Sequence, residues 1–257
     1  MRVIHLVLLT AVVAAAQGCG GDGSGSAGTG GTAGSGGTGG GGGDPAPKVP
    51  TEGLQAFLSF SGDASDQSGN GKDGMLLGGA TGSGELVVGN NATDMLTLPS
   101  SVMDGLSDFT FAAWLRIDTL RNESHEVISG ANAVEDNALI FWYREATDEW
   151  VVGVNNGSSA FATDATIEDG QWHHIALTRS GNSALLYLDG SRLGGAVNVD
   201  GAILDIDPGG LVFGQEQDEV GGSFDAGESW AGAMDNLRIY DRALSAEEVG
   251  LLAAEAR

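Results

Sequence analysis

The chain has 257 residues, with 35 acidic side chains against 11 lysines and arginines, so its formal net charge is −24. Because a nucleic-acid backbone is bound by clustered lysine and arginine, this balance argues against nucleic acid as a partner, and the same repulsion disfavours anionic lipid headgroups. Only one cysteine is present, so no disulfide forms within the chain and a folded domain must be held by its apolar core.

The first residues have the pattern of a secretory signal peptide. Arg2 precedes an apolar stretch over residues 6–16, and small residues lead to Cys19. Residues 16–19, Ala-Gln-Gly-Cys, resemble a bacterial lipobox, which implies lipidation of Cys19; Ala16 and Gln17 depart from the usual pattern, so ordinary cleavage nearby is the alternative. We expect residues 1–19 to be a lipoprotein-type signal peptide. The protein would then reside in the bacterial cell envelope, at the outer membrane or cell surface, with the lipid as its membrane contact, or else be secreted.

Residues 20–50 are predicted to be a flexible linker. The part from 20 to 43 is almost entirely Gly, Ser, Thr and Ala, which cannot bury apolar area. A Gly-rich coil of this length has a root-mean-square span of roughly 25 to 30 Å. Three prolines then stiffen the approach to the following domain, at positions Pro45, Pro47 and Pro50.

Residues 51–257 are predicted to form one all-β domain. Short runs of alternating apolar and polar residues are separated by turn residues, which is typical of an antiparallel sandwich. Between Trp172 and Gly190, two such runs are joined by Ser-Gly-Asn and closed by Asp-Gly, which predicts a hairpin. In the run 109–117, the face expected in the core is formed by Phe109, Phe111, Ala113, Leu115 and Ile117.

Near the C-terminus, Ser245 and Glu248 fit the capping box of a short helix. With residues 53–81 and 172–190, the segment 230–249 resembles the laminin G-like, concanavalin A-like jelly-roll family common in bacterial surface proteins. The resemblance covers most of residues 51–253. It implies an antiparallel two-sheet jelly-roll sandwich with a short C-terminal helix, which is a scaffold that hosts many functions.

A Gly-rich loop near the start of the domain is the candidate metal site. It contains Asp63, Asp66 and Asn70, and calcium is bound by several carboxylate and carbonyl oxygens on flexible backbone. The same residue types accumulate in tight loops because their side chains bond to nearby backbone, and their spacing is not that of an EF-hand. The family resemblance implies a structural calcium ion at this edge with a carboxylate from the last strand, for which Asp235 is the matching residue.

Four aromatic residues are candidates for a ligand surface. Sugar recognition needs an exposed aromatic ring and a few polar groups. Trp142, Tyr143 and Trp150 border an acidic loop, and Trp230 closes the acidic stretch 215–228. Each of them is equally suited to the core of a large sandwich.

The histidines and carboxylates show no catalytic motif. His173 and His174 are neighbours on a predicted strand and point to opposite faces, so they cannot share a metal ion. Glycoside hydrolases on related jelly rolls use two carboxylates that flank the scissile bond, whereas the acidic groups at 145–149 and 216–219 fall in predicted turns. A glycoside hydrolase is therefore the minority hypothesis.

The sequence thus predicts a non-catalytic, monomeric binding domain. We expect it to recognise a carbohydrate or a matrix-like polymer, with calcium in a structural role. The alternative is a structural, adhesion or protein-interaction domain without a sugar ligand. An exposed aromatic side chain ringed by polar groups would favour the first hypothesis.

Overall fold

The computed structural model describes residues 48–121, 123–162 and 165–257. Within them, antiparallel strands form two sheets, which confirms the predicted sandwich. Sheet A contains β1 (Leu54–Leu58), β3 (Thr81–Gly82), β4 (Leu86–Val88), β6 (Phe109–Ile117), β11 (His173–Ser180), β12 (Ser183–Leu188), β13 (Ser191–Asn198) and β15 (Gly232–Tyr240). Sheet B contains β2 (Met75–Leu77), β5 (Met95–Thr97), β7 (Ser124–Gly130), β8 (Leu139–Arg144), β9 (Glu149–Val154), β10 (Gly157–Ala160) and β14 (Leu211–Phe213).

The strand order brings distant segments together. In sheet A the order is β13-β12-β11-β6-β15-β4-β3, and β1 also pairs with β15. In sheet B the order is β10-β9-β8-β7-β14-β5-β2. The predicted hairpin is present as β11 and β12, and Asp189 and Gly190 turn the chain into β13 with φ of 48° and 77°, as a tight hairpin turn requires.

The core lies between the inner faces of the two sheets. Phe111 of β6 meets Phe141 of β8 edge to face, with ring centroids 6.1 Å apart, so side chains from both sheets interlock. The alternation in β6 is confirmed, because every residue predicted for its inner face is at most 3% exposed: Phe109, Phe111, Ala113, Leu115 and Ile117.

The short C-terminal helix α1 (Ala246–Ala253) begins at the predicted capping box. Ser245 Oγ accepts the N–H of Glu248, and the Glu248 carboxylate accepts the N–H of Ser245. Val249 and Leu252 pack on residues of the outer face of sheet A, including Tyr240. The helix therefore covers part of the outside of sheet A.

The expected signal peptide, Cys19 and the linker up to residue 47 lie outside the described residues. Among the residues that the structure does describe, no helix is long and apolar enough to span a membrane.

Candidate functional site

The site lies on the outer face of sheet B, where β7 and β8 run side by side. Glu126 of β7 is the register partner of Trp142 of β8, and such partners project from the same face with their β-carbons about 5 Å apart. Trp142 is partly exposed, whereas its neighbours Phe141 and Tyr143 are buried. Alternation along β8 therefore turns an indole ring outward, directly beside a carboxyl group.

Residues 214–231, which connect β14 to β15 and are called the 214–231 loop below, fold against this part of sheet B. The base of the loop is closed by the N–H of Trp230, which donates to the carbonyl of Gly214 at 2.9 Å. The side-chain amide of Gln217 donates to the carbonyls of Ser129 of β7, at 3.2 Å, and Gly210, at 2.8 Å. These bonds hold the acidic residues of the loop against β7.

The charges of three carboxyl groups in this region influence one another, those of Glu126, Glu216 and Glu228, which we call the acidic cluster. Glu126 is 3% exposed and Glu216 is 6% exposed, and the carboxyls of Glu216 and Glu228 are close enough to share a proton. Glu126 Oε2 and Glu216 Oε2 are buried with no hydrogen-bond partner. Buried acceptors without donors are costly, so this arrangement favours an added proton or a cation.

The pKa values follow from the same crowding. Burial raises the pKa of Glu216 to about 8, and the charges of Glu228 and Asp218 add to the effect. Burial also raises the pKa of Glu228, and it raises the pKa of Glu126 well above its ordinary value, where Glu216 and Glu228 contribute further. Arg121 lowers the pKa of Glu126. Mutual repulsion in a dry site thus disfavours three bare carboxylates.

Two small cavities open on this face and share Asn156. The first, of about 330 Å³, is lined by Asn132, Ala133, Val134, Asp136, Asn156, Asp218, Glu219 and Val220. The second, of about 120 Å³, is lined by Asn137, Ile140, Trp142, Asn156, Gly157 and Ser158. Since the cavities share Asn156, one ligand could contact the indole ring of Trp142 together with Asp136, Asp218 and Glu219.

The wall between the cavities is built by the turn that joins β9 to β10. Asn155 and Asn156 both have positive φ, 50° and 59°, the conformation that asparagine tolerates in a two-residue hairpin turn. The N–H of Asn156 donates to the carbonyl of Asn137 at 3.0 Å, and Asn156 Oδ1 accepts the N–H of Asn137 at 3.1 Å. The turn is thereby fixed to the start of β8.

The chemistry of the acidic cluster fits a hard divalent cation. Its available ligand atoms are carboxylate oxygens, and calcium takes six to eight oxygen ligands. Within the described ranges, no three acidic, histidine or cysteine side chains are already placed around one point. Glu216 and Glu228 would therefore hold a cation only together with further oxygen ligands.

The loop predicted to bind calcium uses its polar groups in another way. Both oxygens of Asp66 accept backbone N–H groups, from Phe57 at 3.0 Å and Lys72 at 3.0 Å among others. The side-chain amide of Asn70 donates to the carbonyl of Leu54 at 2.8 Å. These hydrogen bonds to nearby backbone are typical of a tight loop that is stabilised by its own polar side chains.

The other two predicted ligands are also occupied. Asp63 Oδ1 accepts the N–H of Ser65 at 2.9 Å. Asp235 is buried in β15, where its Oδ1 accepts the N–H of Asn236 and its Oδ2 lies 3.9 Å from the guanidinium of Arg257. These contacts stabilise the loop and the strand internally, and the assignment of calcium to Asp63, Asp66, Asn70 and Asp235 stays a prediction.

Of the four aromatic candidates, only Trp142 presents its ring to a cavity. Tyr143, Trp150 and Trp230 are each 0% exposed, so they have no free ring face and belong to the core. Trp150 stacks on Phe141 with centroids 5.0 Å apart. For these three residues the alternative prediction, a position in the core, is confirmed.

Several residues of the site escaped sequence analysis because their significance depends on pairing between strands. Glu126 carries no local signal, because β7 is a mixed polar and apolar strand in the sequence. Glu216 and Asp218 were interpreted as turn residues. His125 is buried between Glu145, at 2.9 Å from Nε2, and the carbonyl of Trp230, at 2.7 Å from Nδ1.

Several known proteins are similar to this chain. Human pentraxin-4 is 34% identical over 175 residues, which cover 65% of this chain and 36% of pentraxin-4. C-reactive protein 1.1 of Limulus polyphemus is 30% identical over 164 residues, which cover 61% of this chain and 67% of that protein. The native heptameric SAP-like pentraxin of Limulus polyphemus has a TM-score of 0.51 at 28% identity, covering 58% of this chain and 70% of its own. The chain spans only 4% to 36% of the first curated relatives that it matches.

A family model described as the concanavalin A-like lectin/glucanases superfamily matches residues 89–250, more than half of the chain. The matched segment contains β7, β8 and the 214–231 loop, and so the whole acidic cluster with Trp142. The two antiparallel sheets and the short C-terminal helix agree with this match. The chain therefore belongs to the laminin G-like family of the concanavalin A-like lectin/glucanases superfamily.

Proposed function

We propose that this protein is a non-catalytic binding domain that recognises a carbohydrate on the outer face of sheet B. The observation that carries the proposal is the placement of a partly exposed Trp142 beside a buried cluster of carboxyl groups. An indole ring stacks on the apolar face of a sugar, and polar groups at its side fix the hydroxyls.

Calcium is the proposed cofactor of this surface, held by the acidic cluster rather than by the loop at residues 63–70. Glu216 and Glu228 would supply charge, and further oxygen ligands would have to complete the shell. When bound, the ion supplies a positive centre to which sugar hydroxyls or an anionic group can coordinate. The protein's own part is to hold the carboxyl groups in a dry site and to keep the indole ring of Trp142 exposed beside Glu126 on the same face of sheet B.

A hydrolase is an alternative function, because the superfamily includes glucanases. The pair in a retaining glycosidase is separated by about 5 Å or more so that the sugar can sit between the two groups. Glu216 and Glu228 are close enough to share a proton, and Glu216 is 6% exposed. This spacing suits the capture of a cation better than the cleavage of a glycosidic bond.

A protein-interaction role is favoured by a different feature of sheet B. A groove of about 360 Å³ lies at the β2 edge, lined mainly by apolar side chains, and Met75 in it is 59% exposed. Exposed apolar surface of this kind is typical of contact sites. The groove adjoins Gly221 and Phe224 of the 214–231 loop.

Export and lipid anchoring at Cys19 complete the proposal, on the strength of the N-terminal sequence alone. The expected monomer has no support from the similar Limulus pentraxin, which is heptameric. Light scattering of the purified protein, with and without calcium, measures the oligomeric state directly.

A glycan array tests the proposed function. The purified protein is applied in millimolar calcium and again in chelator, beside the Trp142→Ala variant. Calcium-dependent binding to one class of sugar, lost in the variant, is the expected result. A blank array with folded, calcium-loaded protein would refute carbohydrate recognition and leave the protein-interaction hypothesis.

A further inference from the structure

Arg121 lies outside the acidic cluster but bonds to the backbone on both sides of Glu228. Its Nη1 donates to the carbonyl of Ala226 at 2.8 Å, and its Nη2 donates to the carbonyl of Ser229 at 2.5 Å. Nη1 also donates to Ser229 Oγ at 3.0 Å. The short 3-10 turn Ala226–Glu228 is thus held by a side chain that is distant in sequence.

The same guanidinium joins this turn to two other segments. Nη2 donates to the carbonyl of Ser124 at the start of β7, at 2.7 Å, and Nη1 donates to Oδ1 of Asn90, at 2.7 Å. Only the planar fork of arginine offers enough fixed donors for such a junction. The side chain of Arg121 is 6% exposed, so water does not compete for these bonds.

A second connection runs from this junction to Glu216. The carbonyl of Asn91, the neighbour of Asn90, accepts the side-chain amide of Gln215 at 3.2 Å. Oε1 of Gln215 in turn accepts the N–H of Glu216 at 2.9 Å. Arg121 therefore holds the backbone beside Glu228 directly, and that of Glu216 through two residues of another loop.

We propose that Arg121 is a positioning residue that sets the spacing of Glu216 and Glu228, and with it the affinity of the acidic cluster for calcium. This inference rests on the proposed calcium site. The guanidinium bonds to backbone carbonyls and not to the carboxylates that would bind the ion, and its charge, which also acts on Glu126, is kept in an Arg121→Lys variant. Loss of a residue that orients a metal ligand without binding the metal itself typically lowers metal affinity by about 10- to 100-fold.

The test is calorimetric titration with calcium chloride of the wild-type protein and of Arg121→Lys, which keeps the charge but cannot bridge the same acceptors. A loss of 10-fold or more in affinity is expected in Arg121→Lys. The matched control is Arg192→Lys in β13 of sheet A, which should bind as the wild type does. If Arg121→Lys is folded and binds calcium with wild-type affinity, the inference is wrong; if the wild type itself binds no calcium, the proposed calcium site fails instead.

A double-mutant cycle separates positioning from general stability. If Arg121 acts through Glu228, then Arg121→Lys should cost little further affinity in a Glu228→Gln background, since the ligand that it positions is already lost. Amide hydrogen exchange should also rise at residues 225–229 in Arg121→Lys without a rise in the core strands. Additive losses of affinity in the two variants would overturn the inference.

Discussion

The carboxyl groups of Glu216 and Glu228 approach closely enough to share a proton, although both belong to one surface loop. The loop is bent back on itself by the bond between Trp230 and Gly214 at its base. Two like charges are thus forced together by backbone contacts that do not involve them. Such a pair is stabilised by whatever removes its negative charge, either a proton or a cation.

Glu216→Gln should stabilise the calcium-free protein and abolish its response to calcium. The neutral amide removes one of the repelling charges, so at pH 8 in chelator we expect a gain on the order of 1 kcal/mol, or roughly 2–4 °C in melting temperature for a domain of this size. The wild type should gain stability on addition of calcium because the ion binds only the folded state. Glu52→Gln, at an exposed position, is the control and should respond as the wild type does. A full calcium response in Glu216→Gln would exclude this residue as a ligand.

The calcium-free protein should lose stability as the pH rises from about 4.5 to 8. Burial raises the pKa of Glu216 in the folded state to about 8, so the folded state holds a proton that the unfolded state has released. The contribution of this proton to the free energy of unfolding is complete below the pKa of Glu216 in the unfolded state. It is lost as the pH rises past the pKa of Glu216 in the folded state. Urea unfolding in chelator at several pH values measures the slope. In Glu216→Gln the slope should be smaller, and an unchanged slope would show that another group is responsible.

Calcium binding near neutral pH should release protons. The ion competes with the proton shared by Glu216 and Glu228, so its apparent affinity should increase between pH 6 and 8. Calorimetry in two buffers with different ionisation enthalpies gives the number of protons released. Binding without any release at pH 6 would mean that the ion occupies another place.

Trp142→Ala should weaken sugar binding by about tenfold or more while leaving the fold and the calcium affinity unchanged. The indole ring is partly exposed and lines a cavity, so its loss removes a contact surface and creates no void in the core. Trp172→Ala is the matched control: this indole lies against the guanidinium groups of Arg116 and Arg257, near sheet A. Equal losses of sugar binding in both variants would contradict a specific role for Trp142.

Asp66→Ala should destabilise the domain without affecting calcium. Although burial acts to raise the pKa of Asp66, N–H donors from Lys72, Phe57 and Ser68 hold that pKa below its ordinary value. The variant leaves these donors without their acceptor, at a cost of about 1–3 kcal/mol. The loss should be present at neutral pH and diminish below about pH 4, where the carboxylate becomes protonated in the unfolded and then the folded state. A calcium response that disappears in Asp66→Ala, with the fold intact, would restore the loop at residues 63–70 as the metal site.

Local sequence patterns were sufficient to predict the two-sheet sandwich. The alternation of Phe109, Phe111 and Leu115, the Asp189-Gly190 turn and the capping box of Ser245 all act within a few residues, so sequence analysis placed each of them correctly. The sandwich follows, because strands with one apolar face can bury it only against another such face.

The site depended on contacts that no local pattern contains. Glu126 and Trp142 become neighbours through the register of β7 and β8, while Glu216 and Glu228 meet because Gln217 and Arg121 fasten their loop to sheet B. Composition drew attention instead to Asp63 and Asp66, which accept hydrogen bonds within their own loop. Sequence by itself determined which strand faces are buried, since burial follows from the two-residue period of a strand. Only the tertiary structure decided which acidic groups lack hydrogen-bond donors, because those donors would have to come from segments that are distant in sequence.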